Sequence, residues 1–282
     1  MSLLVIDDQG ELWRGDSRQL RANFDSPYSG GEFIEYAAKN LGFIAINLYT
    51  SSCQLRLRPS FVTARTANGL LNWMRGHKFE RVVLTIYESG WRDTLLKPHE
   101  VEQRIEGLAA TQAGQFEKFM SRPLQPPPLE GQTILADVFS NWRHLAATYD
   151  TDTLVRLLRS VFDQRYAVML KQAGSGRLVF KEFGHKMFPQ YDIWRTCAVG
   201  APVEEQPDRA YGKWVARTYH EALESEVPRS EAVDAITNCP VRGHVRMRYR
   251  RIIFPLNEPS GSQLLIGGSF DDRSIDLRVP AR

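Results

Sequence analysis

Hydrophobic positions along the chain change their period several times, and each change marks an element. Phe33, Tyr36, Ala37 and Leu41 recur at helical spacing behind Ser29 and Glu32, a capping-box pair, and Gly42 offers a left-handed helix end. The period then falls to two. Phe43 to Leu48 reads as a strand, and Leu55 and Leu57 alternate with Arg56 and Arg58, the pattern of a sheet with one wet face. Thr50-Ser51-Ser52 would join the two as a hairpin. Leu70, Trp73 and Met74 before Gly76 predict a second helix, and Arg81 to Tyr87 predicts a β-branched strand. Pro98 opens a third helix carrying Val101, Ile105 and Leu108, expected to run on through Phe116.

Beyond the middle of the chain the helical period returns from Ile134 to about Tyr149. Asp150 or Thr151 then caps a helix whose Leu154, Leu157, Leu158, Val161 and Phe162 form one apolar stripe that must pack on something. Tyr166 to Leu170 and Arg177 to Phe180 follow as strands around Ala173-Gly174-Ser175-Gly176, a connection suited to a hairpin. Tyr211, Trp214, Val215, Thr218 and Ala222 share one face of a long helix, and Val245 to Leu256 and Gln263 to Phe270 return to strands. Hairpin, helices and then antiparallel strands describe an α+β domain with helices over one face of its sheet.

The clearest interruption is Ser121-Arg122-Pro123-Leu124-Gln125-Pro126-Pro127-Pro128, where proline removes backbone donors and fixes φ. The chain therefore divides into a mixed α/β domain of residues 1–120, a Pro-rich linker of residues 121–133, and an α+β domain of residues 134–282. A length of 282 residues with 43% hydrophobic content suits two cores rather than one.

Composition adds little. Charged residues make up 24% and the net charge is +3, so bulk electrostatics demand no nucleic acid partner. Cys53, Cys197 and Cys239 are too few and too scattered for a disulfide framework or a metal knuckle. The apolar run Leu3 to Ile6 ends at Asp7-Asp8, too short for a signal segment, and no stretch approaches a membrane span, so a cytoplasmic location is expected.

Two stretches resemble a known family. Tyr219 to Pro228 is similar to the segment of PAS domains where the long helix ends and a strand begins. Arg248 to Leu256, followed by Ser260-Gly261 and Leu264 to Gly268, resembles the last two strands of PAS-like domains in bacterial proteins. The resemblance covers residues 141–271. It implies a five-stranded antiparallel sheet whose inner face, with helices over it, makes either a small-ligand pocket or a packed core. It further implies sensing of a ligand or protein partner and pairing as a homodimer, with Tyr211, Trp214, Val215, Thr218 and Tyr249 as pocket candidates. The N-terminal half matches no family, and no histidine kinase, GGDEF or helix-turn-helix sequence supplies an output.

Other chemistry reads weakly. His220 lies on the helix that carries the haem ligand in some PAS domains, but a single histidine makes no haem site. Asn238-Cys239 resembles the pair of flavin photosensors, yet Pro240 follows it and a strand comes next, so neither haem nor flavin is expected and no cofactor is identified. Alternation puts Arg246, Arg248 and Arg250 on one sheet face opposite Val245, Met247 and Tyr249, a row for phosphates or an acidic partner, or a solvated face paired with carboxylates. Asp7-Asp8 resembles the acidic pair of receiver domains without their later aspartate and lysine, and reads as a turn. Glu88, Arg92 and His99 read as loop and helix-start residues, and no GxSxG, Walker, HExxH or metal-pair spacing occurs. The expectation is a sensor rather than an enzyme. An enzyme with an N-terminal or inter-domain site and a ligand-free adaptor remain the competing readings.

Overall fold

The computed structural model describes residues 2–111, 116–124, 133–187, 192–240, 242–258 and 261–279. They form two compact units, one running to Lys118 and resuming at Arg278, the other Phe119–Leu277.

The first unit is a sheet of six strands: β1 (Ser2–Ile6), β2 (Leu12–Arg14), β3 (Ile44–Leu48), β4 (Ser52–Leu57), β5 (Arg81–Tyr87) and β6 (Trp91–Leu96), in the order β2-β1-β3-β4-β5-β6. The β3–β4 hairpin closes at Tyr49–Ser52 as the pattern predicts, with Leu55 and Leu57 fully buried. Helices α1 (Arg18–Asn23), α2 (Gly30–Asn40), α3 (Ala64–Arg75) and α4 (Pro98–Thr111) complete it. Leu70, Trp73 and Met74 of α3, with Val101 and Ile105 of α4, pack against Ile44, Ile46, Leu55, Leu57, Val82 and Leu84 of the sheet.

Several local expectations change. Ser29 stands at the start of α2 but its side chain makes no capping bond. Helix α4 ends at Thr111, and Phe116 is not helical. Strands β2 and β6 and helix α1 escaped the sequence reading because each is short or largely exposed. Asp7-Asp8 does form a turn, with Gly10 N–H donating to the Asp7 carbonyl and Trp13 Nε1 donating to its carboxylate at 2.8 Å. Glu88 and Arg92 face each other at 3.9 Å, both exposed, and His99 is exposed in the first turn of α4.

The second unit is a fully antiparallel sheet built from β7 (Phe119–Pro123), β8 (Tyr166–Lys171), β9 (Leu178–Phe183), β10 (Arg229–Cys239), β11 (Gly243–Asn257) and β12 (Gln263–Asp271). Its order is β7-β10-β11-β12-β8-β9. The five-stranded sheet implied by the resemblance is present as β10-β11-β12-β8-β9, and β7 extends it. Ser121–Pro123, which the sequence places in the linker, are thus sheet residues; proline is tolerated because β7 is an edge strand. The rest of the proline cluster, from Gln125, lies outside the described residues.

Helices cover both faces, not one. Helix α9 (Arg209–Ser225), preceded by α8 (Asp192–Cys197), lies over the inner face and buries Tyr211, Val215, Tyr219 and Ala222 against Val233, Ala235, Tyr249, Ile253 and Leu265. On the outer face, α5 (Thr133–Ser140), α6 (Trp142–Thr148) and α7 (Thr151–Val161) supply Leu135, Trp142, Leu154 and Leu158, which pack on Ile252, Phe254, Leu264 and Ile266. That is where the apolar stripe of α7 goes, and Asp150 caps the helix with its carboxylate on Thr153 N–H at 2.8 Å. Phe162 lies flat enough on β12 that a Cβ at Gly268 would meet its ring at 2.2 Å, so only glycine fits there.

Candidate functional site

Helix α9 begins where Asp208 accepts bonds from Ala210 and Tyr211 N–H at 3.0 and 3.1 Å. The second Asp208 oxygen accepts from Asn238 N–H at 2.9 Å, tying the helix start to the end of β10. One turn on, Gly212 lets the carbonyls of Val203 and Glu204 approach so closely that a Cβ would lie 2.9 and 2.8 Å from them. The backbone around the N-terminus of α9 is therefore firmly placed.

Under this helix lies a charge that the apolar pattern does not announce. Arg251 occupies the same face of β11 as Met247, Tyr249 and Ile253, and is 1% exposed. Its cross-strand partner is Glu231 of β10. Arg251 Nη2 and Nε donate to Glu231 Oε2 at 2.5 and 3.1 Å, while Nη1 is buried without a partner. The guanidinium stands 4.9 Å from the Trp214 ring centre and 5.7 Å from that of Tyr219. Tyr211 and Tyr249 hydrogen-bond to each other through their hydroxyls.

Burial dominates the titration of this cluster. It pushes the Tyr219 phenol up to about 12 and raises Tyr211 and Tyr249 as well, so all three hydroxyls are neutral at physiological pH. Burial pulls Arg251 down, but attraction to neighbours that are negative when ionised, Tyr249 and Glu231 first, outweighs it; at physiological pH the Glu231 carboxylate supplies that charge and the guanidinium stays charged.

Two small cavities flank Tyr211. One, of about 10 Å³, is lined by Tyr211, Val215, Tyr219, Tyr249 and Arg251 with Ala167, Phe180, Met187, Gln206 and Ser269. The other, also about 10 Å³, is lined by Tyr211 and Gln206 with Trp194, Pro207, Asp208, Thr237 and Met247. Each has room for about one water molecule. A larger groove of about 420 Å³ runs along α6 and the end of β11, but its charged residues, Arg143 and Glu226, are both exposed.

Of the pocket candidates, Tyr211, Val215 and Tyr249 line the first cavity. Trp214 does not: it turns toward Phe119 of β7, 5.8 Å away between ring centres, and toward Arg251. Thr218 does not either, its hydroxyl facing the Trp214 carbonyl at 3.5 Å. Sequence reasoning passed over Arg251 as a pocket residue, along with Glu231, Tyr219, Gln206 and Thr237. The available signal was parity, since Arg251 is the one arginine of β11 in step with Met247, Tyr249 and Ile253.

The row Arg246, Arg248 and Arg250 is no open anion-facing surface. Arg246 donates to Asp234 through Nε at 2.8 Å and Nη2 at 2.6 Å, with both side chains fully buried, and reaches Asp276 at 2.9 Å. Arg248 donates to the carbonyls of Arg273 and Ile275, Arg250 to Asp272 at 2.7 Å, and Leu277 N–H donates to Asp234. These arginines face inward because residues 272–277 cover them.

His220 is half-buried on α9 and lines neither cavity, and Cys239 is the buried last residue of β10, with β11 beginning at Gly243. Among the described residues there is no cluster of three potential metal ligands and no helix long and apolar enough to cross a membrane.

No family model matches the chain, and no curated protein matches it. Among solved structures, the VqmA–ligand–DNA complex of Vibrio cholera is 16% identical, covers 44% of this chain and 51% of that one, and has a TM-score of 0.31. The dark structure of the Aureochrome1 LOV photoreceptor is 13% identical, covering 43% of this chain and 83% of that one at a TM-score of 0.30. An RNA-binding light-oxygen-voltage receptor is 12% identical over 60% of this chain and 43% of that one, at 0.31. The chain thus spans about half the length of VqmA. The α+β assignment rests on the strand order and burial described above.

Proposed function

We propose that the second unit is a PAS-like sensory module that binds a small molecule between α9 and the sheet. The observation that carries this reading is Arg251 Nη1, a donor buried in an apolar core and left without a partner beside a cavity. Buried polar groups in folded proteins are nearly always satisfied, and an unmet donor on a charged group is costly. A bound acceptor would satisfy it.

Signalling would proceed by population shift, limited by the ligand's differential affinity for two arrangements of the module. The route is short. Strand β11 holds Arg251 on its inner face and Arg246, Arg248 and Arg250 on its outer face, so a change of strand twist at the cavity acts on residues 272–277. The reading assigns no reaction to the chain. Its partners would be the small molecule, a protein that receives the signal, and a second copy of this chain.

Native mass spectrometry of purified full-length protein, with an absorption spectrum of the same sample, tests it. Extra mass that departs on denaturation supports the sensor. The small size of the two cavities favours a second reading, a ligand-free interaction module with a packed core. A clean mass and no thermal response to small polar molecules would establish that reading instead.

A further inference from the structure

We propose that the ligand is a small neutral molecule with two polar ends, a carbonyl-type oxygen for Arg251 and a hydroxyl or carbonyl group for Thr237, held across Tyr211 and Gln206. This rests on the sensory reading above and names the ligand class.

The charge of the site selects neutrality. Arg251 is already balanced by Glu231, which takes two of its N–H groups, and the neighbouring phenols are neutral. An anion would leave one uncompensated negative charge in a buried site, and a cation would face the guanidinium directly; both are penalised by desolvation. A neutral acceptor meets Nη1 and leaves the charge balance unchanged. The guanidinium has no acceptor of its own, so the atom opposite it must be an acceptor.

The second polar end follows from the other cavity. Thr237 is 1% exposed, and its hydroxyl has no partner. It lines the second cavity, where Asp208 is already occupied by backbone N–H groups. Two unmet buried groups thus belong to residues of two cavities that share Tyr211 and Gln206 in their lining. Phe180, Val215 and Trp194 give the walls an apolar share beside Ser269 and the Tyr219 and Tyr249 phenols, which suits a short apolar or aromatic middle. Space comes from side chains rather than backbone. The unbranched Met187 and Met247 can swing aside, and Gln206 can do so only by giving up its bond to the Val203 carbonyl at 3.1 Å, whereas the backbone at Gly212 is wedged.

The test uses the full-length protein with 4-hydroxybenzamide and its anionic counterpart 4-hydroxybenzoate, read by calorimetry and thermal shift. The expected result is that the amide binds on the order of tenfold more tightly than the carboxylate or better. Thr237→Val, close to isosteric, should remove the advantage of 4-hydroxybenzamide over benzamide. The double variant Arg251→Met with Glu231→Met, which leaves no lone buried charge, should abolish amide binding while the protein still unfolds cooperatively. Tighter binding of 4-hydroxybenzoate, or amide binding untouched by both variants, overturns the assigned class or place. If neither probe binds, the class fails. A copurified acidic molecule in the native spectrum would then leave the sensory reading standing, and a clean mass would remove both.

Discussion

The two faces of β11 use the same residue in opposite ways. On the outer face Arg246 is fully buried and spends its donors on Asp234 and Asp276, while Arg248 and Arg250 hold the backbone and the carboxylate of the segment that follows β12. On the inner face Arg251 is as deeply buried, yet one of its nitrogens has no partner and the residue lines a cavity. Arg246, held by two carboxylates of its own chain, fastens the fold. An arginine left one bond short beside a cavity is available to something else, which is why the functional reading falls on Arg251 and not on the longer, more conspicuous row.

The sharpest way to break this contrast is to remove Arg246. Arg246→Ala leaves Asp234 a buried carboxylate without its guanidinium, and urea unfolding should show a loss of about 3–5 kcal/mol. A loss under 1 kcal/mol would mean that the outer row is not the fastening it resembles. Next in size is Gly212→Ala, whose Cβ must displace the Val203–Glu204 backbone. Overpacking of this kind costs about 1–3 kcal/mol, and the change should loosen the inner-face helix without altering the outer face in hydrogen exchange.

A smaller effect separates helix from sheet. Asp150→Ala removes the cap of α7 and should lower the denaturant midpoint of unfolding, with no change in small-molecule binding because α7 covers the other face. The double variant Arg251→Met, Glu231→Met should stay within about 1 kcal/mol of the parent or exceed it, because hydrophobic replacement of a buried pair is commonly neutral or stabilising. A large loss there would make Arg251 structural like Arg246 and erase the comparison.

The smallest effect is acid sensitivity at the outer face. Burial pushes the Asp272 carboxyl up, but bonds from Ser274 and Arg250 outweigh it and hold it below the ordinary 3.8. A carboxyl lowered in the folded state contributes stability above pH 3.8, and that contribution is lost as pH falls through the folded value. Asp272→Asn should therefore flatten the acid limb of a stability–pH curve below pH 4, while the inner-face phenols, raised rather than lowered, leave that limb unchanged.

Much of the architecture was legible because local pattern and global fold agree. The period-two run at Leu55 and Leu57, the stripe from Leu154 to Phe162 and the face of α9 each bury the side chains their spacing marks. The candidate site was half legible. Tyr211, Val215 and Tyr249 line the first cavity, but the helix face alone could not tell which neighbours turn away, and Trp214 leaves the site to pack against Phe119, a residue far off in sequence. The use of Ser121–Pro123 as an edge strand was hidden by the proline, since nothing local says that a neighbouring strand will accept pairing on one side only.

Hydrophobic period and turn residues depend on neighbours within a few positions, so the chain by itself determined its principal helices and strands and the alternation of β11. Pairing depends on what the fold brings from a distance. Only the tertiary structure set Glu231 opposite Arg251, brought residues 272–277 back over Arg246, Arg248 and Arg250, and left Arg251 Nη1 and the Thr237 hydroxyl unmet, on residues of two cavities that share Tyr211. Whether a buried charge fastens or receives is decided by its partners together with the space beside it, and both exist only once the chain has folded.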